Sequence, residues 1–309
     1  MELIRGLHNL RDRHRDCVLT IGKFDGVHEG HKAVLKNVLE KAREMALPAT
    51  VMVFEPQPEE VFAPEKAPAR LSTLADKYRL LEAEGVDRLL CVQFNREFAS
   101  QSAGTFVQDL LVKKLGVRFL VVGDDFRFGK GRQGDFSMLE EAGRASGFDV
   151  VSTQSFRVDD RRISSTAVRQ ALSDGAFDKA ESMLGRPYSI RGRVVHGEKN
   201  GRTIGFPTAN VLLKRFRTPL KGVFAVKTDY AGVTRQGVAN VGSRPTLNGR
   251  QVQLEVHLFD VDSDLYGKTI EVFPCYKIRD EQKFDSFEEL KLQIQQDAQV
   301  ARDYFAINS

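Results

Sequence analysis

Apolar residues in the first half of the chain alternate between short continuous runs and helical spacing. The continuous runs predict buried strands at 17–22, 49–54, 88–92, 118–123 and 148–152. Apolar residues at intervals of three and four predict helices at 31–46, 72–85, 102–116 and 137–145. Strands that alternate with helices are typical of a parallel sheet covered on both faces. Because ligands bind where such strands end, we expect chemistry in the loops after Gly22, Phe54 and Gly123.

The pattern changes in the second half of the chain. After two short helices at 164–173 and 176–184, apolar and polar residues alternate with a period of two. This alternation predicts strands at 222–230, 235–242, 251–259 and 268–273, which favours an antiparallel barrel or sandwich. A helix at 286–304 follows. We therefore predict two domains, at residues 1–184 and 185–309.

The amino-acid composition limits the kinds of partner that we expect for this protein. The 309 residues include 46 Lys and Arg against 42 Asp and Glu, a net charge of +4 that suits nucleotide ligands and does not indicate a nucleic-acid groove. The three cysteines are far apart and form no CxxC pair, which is typical of free thiols in a reducing compartment. No apolar run approaches the length of a membrane span. We expect a cytoplasmic protein without nucleic-acid or membrane partners; the oligomeric state stays open.

The loop after the first predicted strand reads GKFDGVHEGH, residues 22–31, and opens a helix. The free amides of a helix N-terminus favour a phosphate, and Gly30 leaves room for the close approach of a nucleotide. His28 and His31 can donate to a phosphate whose negative charge grows during nucleotidyl transfer. Two surface histidines on a capped helix are the alternative interpretation. A second helix start follows at 161–169, where serines and arginines fit either a helix cap or a triphosphate-binding turn.

These motifs resemble a known family. FDGVHEGH at 24–31 and ISSTAVR at 163–169, with FEPQP at 54–58 and VGDDFRFG at 122–129, resemble the adenylyltransferase domain of prokaryotic bifunctional riboflavin kinase/FAD synthetases. Asp125 departs from the family pattern, which carries Asn there. The resemblance implies a Rossmann-like nucleotidyltransferase domain with His28 and His31 as its catalytic residues. It also implies ATP or FMN contacts from Gly22, Phe24, Asp25, Gly30, Asp125, Arg162, Ser164, Ser165, Thr166 and Arg169.

A glycine-rich segment at 191–210 begins the second domain. Gly197, Gly201 and Gly205 recur at intervals of four and leave backbone amides open to phosphate oxygens. Lys199 and Arg202 add positive charge. Tight turns between two strands would also require such glycines. The hydroxyl of a threonine at 208 is a hard oxygen donor of the kind Mg²⁺ prefers.

GFPTAN at 205–210 resembles the nucleotide-binding signature of riboflavin kinases. The resemblance continues through GVFAV at 222–226, NVGSRPT at 240–246, EVH at 255–257, LYG at 265–267 and Arg279. It implies a small antiparallel β-barrel with a C-terminal helix. It further implies nucleotide contacts from Pro207, Thr208, Asn210 and Arg279, with Thr208 and Asn210 also at Mg²⁺.

Glu255 lies in a strand pattern whose alternation puts Gln253, Glu255 and His257 on one face. A solvated strand face would show the same pattern. In the kinase family the matching Glu removes the proton from the riboflavin 5′-hydroxyl, so we predict Glu255 as the general base. We expect His257 to be structural.

The resemblance implies that riboflavin and ATP give FMN and ADP, and that FMN and a second ATP give FAD and pyrophosphate, both with Mg²⁺. Two alternatives stay open. An enzyme like the class I aminoacyl-tRNA synthetases also uses an HxGH helix start, but it would need a lysine-rich second motif. A flavin-binding regulator without catalysis would bind its ligands and show no ATP turnover.

Overall fold

The computed structural model describes residues 1–153, 163–196, 206–213, 217–246, 249–261 and 265–308. The chain forms two compact units. The first comprises Met1–Pro68 and Leu74–Ser164, and the second comprises Ala69–Thr73 and Ser165–Ser309. The predicted domains at residues 1–184 and 185–309 stay a prediction.

A six-stranded sheet forms the centre of the first unit. Its order is β1-β4-β3-β2-β5-β6, and every neighbouring pair is parallel. The strands are β1 Glu2–Arg5, β2 Cys17–Ile21, β3 Ala49–Glu55, β4 Arg88–Gln93, β5 Val117–Val122 and β6 Asp149–Ser152. The chain runs outward from β2 through β3 to β4 and then crosses back to β5. The loops after β2 and β5 therefore flank the crevice where such sheets bind ligands.

Helices cover both faces of this sheet. They are α1 Glu29–Met45, α2 Pro58–Phe62, α3 Leu74–Ala83, α4 Arg96–Ala99, α5 Ala103–Thr105 with a π-helical continuation Phe106–Lys114, and α6 Phe136–Ser146. Leu35 of α1 and Leu81 of α3 pack on one face, with Val51 of β3. Leu111 of the π-helix and Leu139 of α6 pack on the other. The covered parallel sheet confirms the predicted fold of the first half.

The second unit is a closed antiparallel barrel. Its order is β10-β11-β8-β7-β12-β9, which decides between the predicted barrel and sandwich. The strands are β7 Ile190–Val195, β8 Ala209–Leu212, β9 Gly222–Tyr230, β10 Val233–Thr246, β11 Gly249–Leu258 and β12 Thr269–Arg279. Helices α7 Ser165–Ser173 and α8 Phe177–Leu184 precede the barrel, and α9 Phe287–Ile307 follows it.

The core of the second unit extends beyond the barrel strands. Val168 and Leu172 of α7 and Leu184 of α8 are fully buried in the same apolar cluster as Leu254 of β11. Leu71, from the segment Ala69–Thr73, is 2% exposed in this cluster. The hydroxyl of Tyr188 donates to the Leu71 carbonyl at 3.3 Å, and Arg169 Nε donates to the carbonyl of Ala69. The two helices and the short segment are therefore part of this unit's core.

Helix α9 packs on the outer wall of the barrel. Ala298, Ala301 and Phe305 bury against Val223 and Val238 of β9 and β10. Ser286 caps the helix by accepting from the Glu289 amide at 3.2 Å. Toward its N-terminal half, the helix and the barrel enclose a cavity of about 360 Å³. None of the helices in the described ranges combines the length and apolar character of a transmembrane segment.

Candidate active sites

Two stacked histidines open helix α1. The ring centroids of His28 and His31 lie 3.7 Å apart, and their planes differ by 14°. The helix begins at Glu29, and His28 is its N-cap because its Nδ1 accepts from the His31 amide at 3.3 Å. Neutral His28 therefore carries its proton on Nε2. The predicted helix start at His31 was two residues late, because a histidine cap is not among the usual cap residues.

The loop before the histidines has an unusual backbone. Phe24 and Val27 adopt positive φ angles of 45° and 40°, which are unfavourable for residues with bulky side chains. Both side chains are buried, at 3% and 0% exposure, and Asp25 between them is 0% exposed. A Cβ on Gly30 would lie 3.2 Å from the His28 ring and from the Ile163 carbonyl oxygen. Packing therefore holds the loop in one conformation, with the histidine pair at its end.

Burial determines the charge of His31. Its pKa lies well below the ordinary 6.5, first because the ring is desolvated and then because charges on His28 and Lys77 oppose its protonation. Lys77 is fully buried on α3, one turn before Leu81, which packs in the same cluster as Phe24. Lys77 was not predicted from the sequence, although a charged residue on the apolar face of a helix is a signal that could have identified it. His31 is neutral at pH 7 and can still donate one proton in a hydrogen bond.

A row of phenylalanines lies at the same edge of the sheet. Phe54 is the penultimate residue of β3, Phe94 directly follows β4, and Phe126 lies in the loop after β5, so all three lie where the parallel strands end. Neighbouring rings contact each other with centroid distances from 5.1 to 6.4 Å. Phe62 is 59% exposed. We call this set the phenylalanine cluster: Phe54, Phe62, Phe94, Phe98, Phe106, Phe126 and Phe128.

The remaining predicted residues of the first site are distributed over both units. Asp125 follows β5, and its Oδ1 would lie 2.8 Å from a Cβ on Gly123, so glycine leaves room for this carboxylate. Gly22, Phe24 and Asp25 lie in the loop that leads to the histidines, and Gly30 lies in the first turn of α1. Ser164 belongs to the first unit, whereas Ser165, Thr166 and Arg169 lie on α7 in the second. Arg162 lies outside the described residues. Their roles in nucleotide binding stay predictions.

In the second unit, Glu255 lies in a row of polar side chains that crosses three strands. It is directly opposite Asn210 on β8 and Asn240 on β10. Leu254 and Val256, on either side of it, are buried inside the barrel, so Glu255 points outward. It lines the cavity beneath α9 together with Asn240 and Thr208. Glu255 is therefore at a cavity wall and not on an open strand face.

A partly buried ion pair also lines this cavity. Arg279, at the end of β12, donates Nε to Asp297 Oδ1 at 2.9 Å and Nη2 to Oδ2 at 2.7 Å. Gln293 Nε2 also donates to Asp297 Oδ1, at 3.0 Å. The Arg279 guanidinium lies 5.7 Å from the centre of the Phe284 ring. Arg279 was predicted from the sequence, but Asp297 was not, because its contact depends on how α9 packs on the barrel.

Oxygen donors for a magnesium ion lie on β8 and just before it. Thr208 is half-buried, and Asn210 is 7% exposed. Asn210 Oδ1 accepts from Gln253 Nε2 at 2.5 Å and retains a second lone pair. A hydroxyl and an amide oxygen fit a hard cation that keeps most of its ligands as water and phosphate. The predicted phosphate-binding residues Gly197, Lys199, Gly201, Arg202 and Gly205 lie outside the described residues.

Two family models match the chain, one for each half. Residues 10–167 match the model described as FAD synthetase, and residues 184–305 match the model described as riboflavin kinase. The stacked histidines lie in the first range, and Glu255 lies in the second. Fold, sites and models together define a two-unit enzyme of the transferase class.

Relatives match over the whole length. The bifunctional riboflavin kinase/FMN adenylyltransferase of Escherichia coli (strain K12) is 57% identical over 309 residues, which is 99% of each chain. The protein of the same description from Pseudomonas fluorescens is 52% identical over 98% of this chain and 97% of its own. The chain belongs to the family of bifunctional riboflavin kinase/FMN adenylyltransferases.

One solved structure aligns with nearly the whole chain. It is described as a macrolide-efflux protein from Streptococcus pneumoniae, and it covers 98% of this chain and 99% of its own. The TM-score is 0.75 and the sequence identity is 33%. The alignment shows that the two chains share both folds.

Proposed function

We propose that the barrel unit phosphorylates riboflavin with Glu255 as the base, and that the N-terminal unit transfers AMP to FMN with the help of His28 and His31. The chain makes FMN from riboflavin and ATP, and then FAD from FMN and a second ATP. The observation that carries the kinase assignment is the position of Glu255 at the wall of a ligand-sized cavity. Functionally, we propose residues 1–184 and 185–309 as the two catalytic domains.

In the kinase reaction, a carboxylate of Glu255 accepts the proton of the riboflavin 5′-hydroxyl. The hydroxyl oxygen then attacks the γ-phosphorus of ATP, the bond from that phosphorus to the β-phosphate oxygen breaks, and ADP leaves. Asn210 and Asn240 flank Glu255 and offer amide groups that orient the carboxylate or the ribityl chain. The apolar part of the cavity, with Phe284 and Phe287, suits the flavin ring.

Thr208 and Asn210 would hold Mg²⁺ through their side-chain oxygens. When bound, the ion neutralises phosphate charge and orients the γ-phosphate for transfer. In the described part of the chain, no group of three or more His, Cys, Asp or Glu side chains could hold a metal ion. This fits an ion that the substrate phosphates hold together with a few neutral protein oxygens.

In the adenylyl transfer, a phosphate oxygen of FMN attacks the α-phosphorus of ATP, and the bond to the β-phosphate oxygen breaks to release pyrophosphate. His28 and His31 donate hydrogen bonds to the α-phosphate as its negative charge develops. The N-terminus of α1 adds its partial positive charge. A neutral His31 fits this role because it keeps a donor without the cost of a buried charge.

The flavin ring of FMN would bind on the phenylalanine cluster. The cluster lies at the sheet edge where β3, β4 and β5 end, the edge that also carries the histidine loop after β2. Flat aromatic ligands stack favourably on phenylalanine rings. Phe62, the exposed member, is the ring that FMN would cover.

The cysteines support a reducing location. All three are free thiols, and Cys17 and Cys91 are buried. Burial raises the pKa of Cys17 to about 11, so its thiol is unreactive. We propose that the protein works in the cytoplasm.

Isotope transfer tests both reactions in one chain. The protein is incubated with riboflavin, Mg²⁺ and ATP labelled at either the γ- or the α-phosphate, and flavins are separated by chromatography. Label from γ-phosphate should appear in FMN, and label from α-phosphate should appear only in FAD. If FMN carried α-label, or if neither flavin were labelled, the proposed division of the chemistry would be wrong.

A further inference from the structure

Backbone pairing between β11 and β8 stops beside the kinase site. The last paired residues are Val256 and Ala209. The ladder cannot continue through Pro207, because proline has no amide hydrogen to donate. A side chain connects the two segments where the backbone pairing ends: His257 Nδ1 lies 2.9 Å from the Pro207 carbonyl oxygen.

The chemistry of this contact fixes the histidine tautomer. A carbonyl oxygen can only accept, so His257 must carry a proton on Nδ1 and donate it. Burial lowers the pKa of His257 and outweighs the hydrogen bond to Pro207, which raises it; the charge of Arg302 opposes protonation, and that of Asp260 favours it. The ring is therefore neutral at pH 7. It packs edge-on against Phe206 at 5.0 Å and Phe259 at 5.9 Å between centroids, which restricts its rotation.

We propose that His257 is a positioning residue of the kinase site. Its hydrogen bond holds the Phe206–Thr208 segment against β11 and so fixes the separation between Thr208 and Glu255. Thr208 directly follows the residue that accepts the bond, and Glu255 lies two residues before the donor on the same strand face. The side chain of His257 would thus link Thr208, the proposed ligand of Mg·ATP, to Glu255, the proposed base. This inference rests on the proposed role of Thr208 in Mg·ATP binding.

Two substitutions separate the hydrogen bond from the ring. His257→Phe keeps an aromatic ring against Phe206 and Phe259 but has no donor. His257→Asn loses the ring but keeps an amide nitrogen close to the position of Nδ1. We expect the Phe variant to raise the KM for Mg·ATP in FMN formation about five- to tenfold, the usual value of one hydrogen bond, and the Asn variant to stay within about twofold of wild type.

The full-length chain supplies its own folding control. FAD formation from added FMN uses the other unit and should be unchanged in both variants. If the Phe variant keeps the wild-type KM, or if the Asn variant loses as much as the Phe variant, His257 does not act through the Pro207 contact and the proposal is wrong.

A double-mutant cycle with Thr208→Ala distinguishes the two proposals. If His257 acts through Thr208, His257→Phe should add no further increase in KM when Thr208 is already Ala. Additive effects would overturn the positioning role while leaving the role of Thr208 intact. If Thr208→Ala alone leaves the KM unchanged, Thr208 does not bind Mg·ATP, and the inference that His257 positions Thr208 is wrong as well. An increase in KM for Thr208→Ala but not for His257→Phe would overturn only the inference about His257.

Discussion

The guanidinium of Arg279 binds the carboxylate of Asp297 at two points, across 2.9 and 2.7 Å. The arginine ends the last barrel strand, and the aspartate lies in the middle of α9, with its side chain 4% exposed. Two parallel hydrogen bonds fix orientation as well as distance. The pair therefore holds α9 over the cavity that Glu255 lines.

Removing this aspartate should destabilise the barrel unit and weaken riboflavin binding. Asp297→Ala leaves Arg279 without its partner; because that arginine is 20% exposed, we expect a loss of about 1–3 kcal/mol, below the value for a fully buried pair. Calorimetry of the full chain would measure the loss from the unfolding transition of the barrel unit, which is the one whose midpoint changes when riboflavin is added. Asp280→Ala is the control: this carboxylate is 81% exposed, and its loss should cost less than about 1 kcal/mol. Equal effects of the two variants would contradict the structural role of the pair.

His28 caps α1 and is also a proposed catalytic residue, and two substitutions separate these two roles. His28→Ala removes both the imidazole and the helix cap, whereas His28→Asn keeps a good cap. We expect both variants to lower FAD formation about 10²- to 10³-fold, with FMN formation unchanged. The thermal midpoint of the N-terminal unit should fall only in the Ala variant. If His28→Asn formed FAD at the wild-type rate, capping would account for the histidine.

The lowered pKa of His31 predicts a dependence of stability on pH. Above pH 6.5 the histidine is neutral in both folded and unfolded chains. Below that value the unfolded chain binds a proton that the folded chain does not, so stability falls as the pH falls toward the folded pKa. Between pH 7 and 5.5, wild type should lose roughly 1 kcal/mol more stability than His31→Gln. NMR titration of the imidazole should show no protonation near pH 6.5; a midpoint there would refute the prediction.

Glu255→Gln should reduce turnover in FMN formation. The amide keeps the shape of the carboxylate but cannot accept the proton, so we expect kcat to fall about 10²- to 10⁴-fold with ATP affinity retained. Glu271→Gln is the matched control: Glu271 is a barrel carboxylate that accepts from Ser189 at 2.6 Å, outside the cavity. Steady-state FMN production, with nucleotide affinity titrated separately, measures both. Normal turnover in Glu255→Gln would exclude the residue as the base.

Fragments of the second unit should differ in stability. A fragment of residues 185–309 keeps Glu255 and the cavity, and we expect it to make FMN. A fragment of residues 165–309 also keeps the buried side chains of α7 and α8, including Val168, Leu172 and Leu184. Its thermal midpoint should be higher by at least about 10 °C. Circular dichroism during heating measures the difference; equal midpoints would show that the two helices are dispensable for the barrel.

Two strands were predicted closely from the sequence, one from an alternating pattern and one from a continuous apolar run. The predicted strand at 222–230 has the same bounds as β9, and the predicted strand at 49–54 is one residue shorter than β3. The four-residue strand β1, Glu2–Arg5, was missed because an edge strand with charged ends shows little alternation. Strand β12 was predicted too short because its Pro274 resembles a strand end, although the strand continues across a bulge there to Arg279.

The residues of the candidate sites also differ in whether the sequence alone could point to them. His28, His31 and Glu255 could be proposed as site residues from the sequence because each lies in a short motif. Lys77, Asp297 and the phenylalanine cluster could not, because each depends on which strand ends or helix faces meet after folding. The pairing of Glu255 with Asn210 and Asn240 likewise follows from strand register, which no single segment encodes.

The segment Ala69–Thr73 has a consequence for synthesis on the ribosome. These five residues belong to the second unit but leave the ribosome before most of the first unit and roughly ninety residues before α7. The other residues of the apolar cluster that contains Leu71 lie at position 168 or beyond and are translated later. Because domains that fold during translation usually form in chain order, we expect the N-terminal sheet to form before this segment can pack in its own unit. Because the segment interrupts the first unit, no single break in the gene separates the residues of one unit completely from those of the other.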